Sequence, residues 1–242
     1  QLKHAMDLDP TNPDPPAALA RLYIAQNKKA DAETFLKKVK NKFPDNSVGY
    51  RMLGDFYFAT GDLDKAVAEY AGVFHDHPKD TQVEKNYIQL LILKNRLDDA
   101  GKLTDALLAA NDNDVLVYRG QIQLRKGQAA DAVQTLQNLL KSDPENGVAH
   151  YHLGLALDQS GNPERAMEEF RKAVRLRPDL IEAQRALAMA AVHRGDMDTL
   201  EQTATQIITL QPASPDGYAM RALAKINRKQ FVAASDDAHK AI

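Results

Sequence analysis

The chain has no cysteine and no tryptophan among its 242 residues, and aromatic side chains make up only 6% of it. Without cysteine there can be no disulfide framework, no thiolate nucleophile and no Cys-ligated zinc, although the compartment stays open. Long apolar runs are also missing. The most apolar stretch, YIQLLIL at 87–93, is far shorter than the roughly 18 residues a membrane span requires. Neither charge dominates: 31 Lys and Arg face 33 Asp and Glu, for a net charge of −2. A nucleic-acid binder held by phosphate contacts would show a basic excess, so that class is excluded. No phosphate-cradling glycine loop, G-x-S-x-G elbow or H-E-x-x-H pair occurs. The adjacent carboxylates Asp98–Asp99 and Glu168–Glu169 fall where solvated helix faces are expected. The residues therefore indicate no enzyme, no cofactor site and no metal site.

What the chain does contain is a period. Proline stands at 10, 44 and 78 and again at 144, 178 and 212, so most steps are 34 residues. Frames starting at 13, 47, 81, 113, 147, 181 and 215 align the intervening residues. Position 8 of each frame reads Ala20, Gly54, Ile88, Gly120, Gly154, Ala188 and Ala222; position 20 reads Ala32, Ala66, Ala100, Ala132, Ala166, Leu200 and Ala234. Small residues at two fixed places let two helices approach closely, and a bulky side chain there would overpack the contact. Ile88 and Leu200 break this rule, which predicts altered spacing in their repeats.

Position 15 reads Gly61, Gly127, Gly161 and Gly195 in four frames and Asn27 and Asn95 in two more. Gly first and Asn second is the preference of a helix end in the left-handed region; Lys229 departs from it. Each proline closes a second helix. Asn46, Asp80, Asn146 and Ser214 follow as expected caps of the next helix. The frame at 81 is two residues short, with Asp112 where proline would stand, so a shortened second helix or a tighter turn is expected after Leu107. Pro13, Pro15 and Pro16 predict a helix that begins late, near Ala17.

The clearest unit, GVAHYHLGLALDQSGNPERAMEEFRKAVRLRP from Gly147 to Pro178, places Leu153–Gly154, Leu157, Gly161, Ala166, Phe170, Ala173 and Pro178 in order. This pattern resembles the tetratricopeptide repeat (TPR), a helix-turn-helix unit. The resemblance implies an all-α, right-handed α-solenoid of tandem units. It divides the chain into residues 1–12, the end of a preceding repeat, and 13–242, the array. Both termini lack a polar capping element, which suggests a segment of a longer repeat protein or a mature fragment with flanking parts missing.

The resemblance also implies a function: a noncatalytic protein–protein interaction scaffold that holds a peptide or partner protein in a concave groove. TPR grooves are lined by first-helix positions 2, 5, 9, 12 and 13. Carried over, these give as partner-binding residues Arg51, Asp55, Lys85, Gln89, Val117, Gln121, Tyr151, Leu155, Arg185 and Met189. The two-carboxylate clamp of chaperone-binding TPR domains is not matched: Arg51, Asp55, Asn86, Asp114 and Tyr118 occupy its positions, and only Asn86 agrees. His75, Asp76, His77 and Asp80 form the one metal-like cluster, in a turn where polar residues are expected anyway. His150 is expected to be packed rather than catalytic. Alternative roles are a structural part of a bacterial envelope or polysaccharide-export assembly, or the regulatory arm of a larger enzyme. Nothing in the sequence assigns a compartment or an oligomeric state.

Overall fold

The computed structural model describes residues 1–108 and 112–242, and among these residues the regular structure is entirely helical. Contacts divide the chain into two units, Gln1–Ala109 and Ala110–Ile242. In unit 1, a short α1 (Leu2–Leu8) precedes three helix pairs: α2 (Asp14–Ala25) with α3 (Lys29–Val39), α4 (Ser47–Ala59) with α5 (Leu63–Asp76), and α6 (Thr81–Leu93) with α7 (Leu97–Leu107). Unit 2 holds four pairs: α8 (Asn113–Arg125) with α9 (Ala129–Ser142), α10 (Gly147–Gln159) with α11 (Pro163–Leu176), α12 (Ile181–Arg194) with α13 (Met197–Leu210), and α14 (Pro215–Asn227) with α15 (Phe231–Lys240). In both units each pair packs on the next, which is the tandem helix-turn-helix arrangement of an α-solenoid.

The turn inside each pair has one geometry. In the second pair, the Gly61 N–H donates to the Phe58 carbonyl at 3.1 Å and the Asp62 N–H reaches the Tyr57 carbonyl at 2.9 Å. These bonds satisfy carbonyls that a helix end would otherwise orphan. They require a left-handed residue, and Gly61, Gly127, Gly161 and Gly195 have φ between 69° and 79°. Asn27 and Asn95 adopt φ 58°. Lys229, which the sequence pattern left aside, adopts φ 60° and closes the same turn through Gln230 N–H and Lys225 O at 2.9 Å.

Caps start several helices. Asn46, Asp80 and Asn146 accept from the backbone N–H groups of Gly49, Val83 and Ala149 at 3.1, 3.1 and 2.9 Å. Asp112, in the place of the missing proline, caps α8 through the Asp114 N–H at 2.9 Å. Ser214 makes no side-chain cap, a departure from expectation. So is the start of α2, which begins at Asp14 rather than near Ala17. Pro15 and Pro16 lie in its first turn, where the absent N–H groups have no helical partner to lose. The second helix of the short repeat, α7, spans 11 residues where α5, α9, α11 and α13 span 14, although α3 in a full-length frame is also 11 residues long. The tighter turn expected after α7 lies at residues outside the described ones.

Between paired helices, position 8 meets position 24. A methyl on Gly54 would stand 2.7 Å from the Tyr70 ring, one on Gly120 2.8 Å from Leu136, and one on Gly154 2.4 Å from the Phe170 ring. Ile88 and Leu200 keep to this volume rule by exchange. Both are fully buried. Ile88 shares its repeat with the small, buried Thr104 at position 24, and Leu200 shares its repeat with Ala188 and Ala204. Volume is moved between positions rather than added, which is how close-packed interiors tolerate such changes. Position 4 ties each pair to the preceding turn in two repeats. His150 Nε2 lies 3.0 Å from the Pro144 carbonyl, and Gln184 Nε2 donates to the Pro178 carbonyl at 3.2 Å. His150 is packed, 7% exposed, with Nδ1 2.5 Å from Glu169.

Candidate interaction surface

Each unit has its own row of first helices, and the sequence-indicated residues fall in both rows. In unit 1, Arg51 on α4 is held by its own helix: Nε donates to the Ser47 carbonyl at 2.9 Å, and Nη1 lies 3.8 Å from Asp55. Asp55 accepts the Tyr70 hydroxyl, which in turn accepts from Asn86 Nδ2 at 2.7 Å. Burial, reinforced by the Asp55 charge, pushes the Tyr70 hydroxyl well above the usual phenol range. Lys85 is half-buried and Gln89 is exposed on α6. Asp55, Phe58, Tyr70, Asn86, Gln89 and Leu90 line a pocket of only about 60 Å³. The face is a polar network with a few apolar neighbours.

In unit 2 the first helices are linked side by side. Gln121 on α8 reaches His152 on α10 at 2.9 Å, and Arg185 on α12 reaches Asp216 on α14 at 3.0 Å. Burial, aided by the Arg125 charge, pushes the His152 imidazole down to about 4, so the ring is neutral at pH 7. With the Gln121 amide assigned as donor, Nε2 of that neutral ring accepts and Nδ1 carries the proton. Tyr151 is half-buried, with its ring 6.3 Å from Phe170. Its hydroxyl is pushed up by burial and by Glu182, against an opposing effect of Arg125. Leu155 packs half-buried on the unit 2 core, while Met189 is 46% exposed. Arg185 also donates to Gln211 at 3.0 Å. Val117 is the exception: at 5% exposure it belongs to the core and offers no surface to a ligand.

The structure adds residues of the same kind. Leu223 and Ile226 on α14, at positions 9 and 12, are 43% and 51% exposed. In unit 1, Phe58 at position 12 and Leu93 at position 13 are each 42% exposed. The positional rule that selects Met189 also gives Phe58, and it would have found the other three had it been carried to position 13 of the frame at 81 and through the final frame. The metal-like cluster in unit 1 is used structurally. His77 stacks on Tyr50, centroids 3.8 Å apart, while Asp80 caps α6 and accepts the Tyr50 hydroxyl. No helix among the described residues is long and apolar enough to cross a membrane.

Models of the tetratricopeptide repeat match residues 1–56, 57–122 and 118–181. A human relative, the mitochondrial import receptor subunit TOM70, is 28% identical over 159 residues, covering 62% of this chain and 26% of that protein. The TPR repeat-containing thioredoxin TTL4 of Arabidopsis thaliana is 29% identical over 107 residues, covering 43% of this chain and 16% of that protein. The chain thus spans about a quarter or less of the length of these relatives. Among solved structures, a tetratricopeptide repeat protein from Parabacteroides merdae superposes with TM-score 0.62 at 18% identity, covering 94% of this chain and 91% of that one. A chain of the APC/C hetero-tetramer Cut9-Hcn1 superposes with TM-score 0.70 at 14% identity, covering 99% of this chain and 48% of that one. Period, turn chemistry, hairpin packing and family match agree: the chain belongs to the tetratricopeptide repeat family.

Proposed function

We propose that this chain is a noncatalytic docking array and that the first-helix face of unit 2 is where a protein or peptide partner binds. Tetratricopeptide repeats serve as protein-interaction scaffolds, and a receptor subunit and a multidomain thioredoxin among the relatives fit that role. One observation carries the reading. Met189, Leu223 and Ile226 all project at first-helix positions 9 or 12, are 43–51% exposed, and lie on neighbouring helices. Half-buried Tyr151 and Leu155 extend the strip onto α10. Grouped exposed apolar side chains mark interaction sites. Covering them would contribute roughly 25 cal/mol per Å² of apolar surface removed from water.

The test is Met189→Asp combined with Leu223→Asp, two changes at exposed positions that leave the core untouched. The double variant, folded by circular dichroism, is expected to lose most of the native partner that the wild-type chain retains in a pull-down. Equal retention by the folded variant would count against this face.

A further inference from the structure

The apolar strip of unit 2 has two unlike edges. At position 2, where each first helix begins, stand Asp114 on α8, Glu182 on α12 and Asp216 on α14, all exposed; Val148 holds the place on α10. At position 13, on the far edge, stand Arg125, Gln159, His193 and Asn227, and the one carboxylate near it is Asp158 at position 12 of α10. Acidic groups in a first turn favour the helix dipole, and second helices of this unit carry them too, such as Glu164 on α11. The dipole explains why carboxylates are welcome there. What is particular to the first helices is that Glu182 and Asp216 stand seven residues, about two turns, before exposed Met189 and Leu223 on the same helices. The Glu182 charge is felt at Tyr151 inside the strip, and Asp216 is pinned beside it by Arg185 at 3.0 Å. In unit 1 only one of three position-2 residues is acidic, Asp14 beside Val48 and Gln82, and two of three position-5 residues, Arg51 and Lys85, are cations, against Arg185 alone among four in unit 2.

We infer that the partner of unit 2 is a basic amphipathic segment, with apolar side chains on the strip and Lys or Arg along the edge formed by Asp114, Glu182 and Asp216. The inference rests on the docking role proposed above and adds the partner's charge and orientation. Complementary charge at the border sets orientation and encounter rate, while the apolar strip supplies the holding contacts.

The probes are two synthetic 18-residue peptides, about five helical turns, with the same leucine face at i, i+3, i+4 spacing. One carries lysine opposite, the other glutamate. Fluorescence anisotropy against the whole 242-residue chain is expected to show the Leu/Lys peptide binding at least about tenfold tighter, with the advantage shrinking in high salt. Glu182→Lys with Asp216→Lys should erase most of that preference. Glu182→Gln alone, which leaves the Arg185–Asp216 pair intact, should reduce it in the same direction. Glu164→Lys, an exposed reversal away from the strip, should leave it unchanged. Equal loss with Glu164→Lys, or no preference for lysine, would overturn the basic-partner inference. If Met189→Asp with Leu223→Asp abolishes binding of both peptides while the acidic variants change nothing, the docking face survives and its charge selectivity falls. If neither set matters, both fall.

Discussion

Units 1 and 2 use the same repeat positions for different ends. At first-helix positions 5 and 9, unit 1 places Arg51 and Asp55, tied into a network with Tyr70 and Asn86. Unit 2 places Tyr151 and Leu155, then Arg185 and Met189, and leaves apolar surface open. The scaffold positions are neutral to this choice because the hairpin contact lies elsewhere, at positions 8, 20 and 24. Unit 1 also exposes Phe58 and Leu93, 42% each, but there they stand beside a face committed to internal hydrogen bonds, whereas in unit 2 the exposed carbon continues onto half-buried Tyr151 and Leu155. The repeat therefore sets which positions face outward on the first helices, and the side chains at those positions differ between the units.

The largest expected effect breaks unit 2 alone. Asp237 on α15 is 2% exposed, with Arg221 Nε and Nη2 at 2.8 and 2.7 Å and Lys225 Nζ at 2.7 Å. Asp237→Ala leaves two mostly buried cations facing each other without a counter-charge, at a cost of about 3 kcal/mol. Hydrogen exchange should accelerate across α14 and α15 and stay unchanged in unit 1. Uniform acceleration would mean that the two units unfold as one.

The next effect compares the same contact in both units. Gly154→Ala puts a methyl 2.4 Å from the Phe170 ring, and Gly54→Ala puts one 2.7 Å from the Tyr70 ring. Both rings are buried, so each change should cost about 1–3 kcal/mol, with Gly154 the costlier. Only Gly54→Ala should also disturb the first-helix network, because the displaced ring carries the hydroxyl shared by Asp55 and Asn86. Chemical denaturation gives the first comparison and the Asn86 side-chain amide resonances give the second.

Titration should separate the units again. His152 in unit 2 has its pKa depressed from 6.5 to about 4, so the stability it contributes is present above pH 6.5 and lost as pH falls toward 4. The full linkage would be about 3 kcal/mol, and the half-buried ring should deliver less. Tyr70 in unit 1 is displaced upward, so its contribution is complete below pH 10 and is lost as pH rises beyond it. Mild acid should therefore loosen unit 2, while strong base should act on unit 1 through Tyr70 and on unit 2 through the smaller upward displacement of Tyr151. His152→Gln should abolish the slope between pH 6.5 and 4; a slope that persists would assign it to another group.

Much of this architecture is legible in the residues because its chemistry is local. The 34-residue period, the Gly and Asn turns and the caps at Asn46, Asp80 and Asn146 each need one residue type at one place. What escapes is pairwise. Ile88 looks like a violation until its position-24 counterpart is read as the small, buried Thr104. Three prolines look like a delayed start to α2 because their lost N–H groups count as defects only beyond the first turn. The candidate surface divides in the same way. Positions 9 and 12 select exposed Met189, Leu223 and Ile226, yet position 5 gives half-buried Tyr151 and fully buried Val117, because depth at that position depends on the neighbouring helix.

Lys229 offers the smallest and most local test. It holds the left-handed place, φ 60°, that glycine fills in the three other turns of unit 2. A side chain with a β-carbon costs about 1 kcal/mol there, since Cβ crowds the following carbonyl. The turn forms nonetheless, because Gln230 N–H must still satisfy the Lys225 carbonyl at 2.9 Å. Lys229→Gly relieves that strain but admits more freedom to the unfolded chain, so the net gain should be about 0.5 kcal/mol. In unit 1, Gly61→Ala introduces the same crowding at φ 79° and should lose about 1 kcal/mol. Opposite signs in thermal unfolding would show that both units obey one turn rule and differ only in how well each turn is filled. A loss with Lys229→Gly would mean that the lysine side chain makes a contact worth more than the strain it brings.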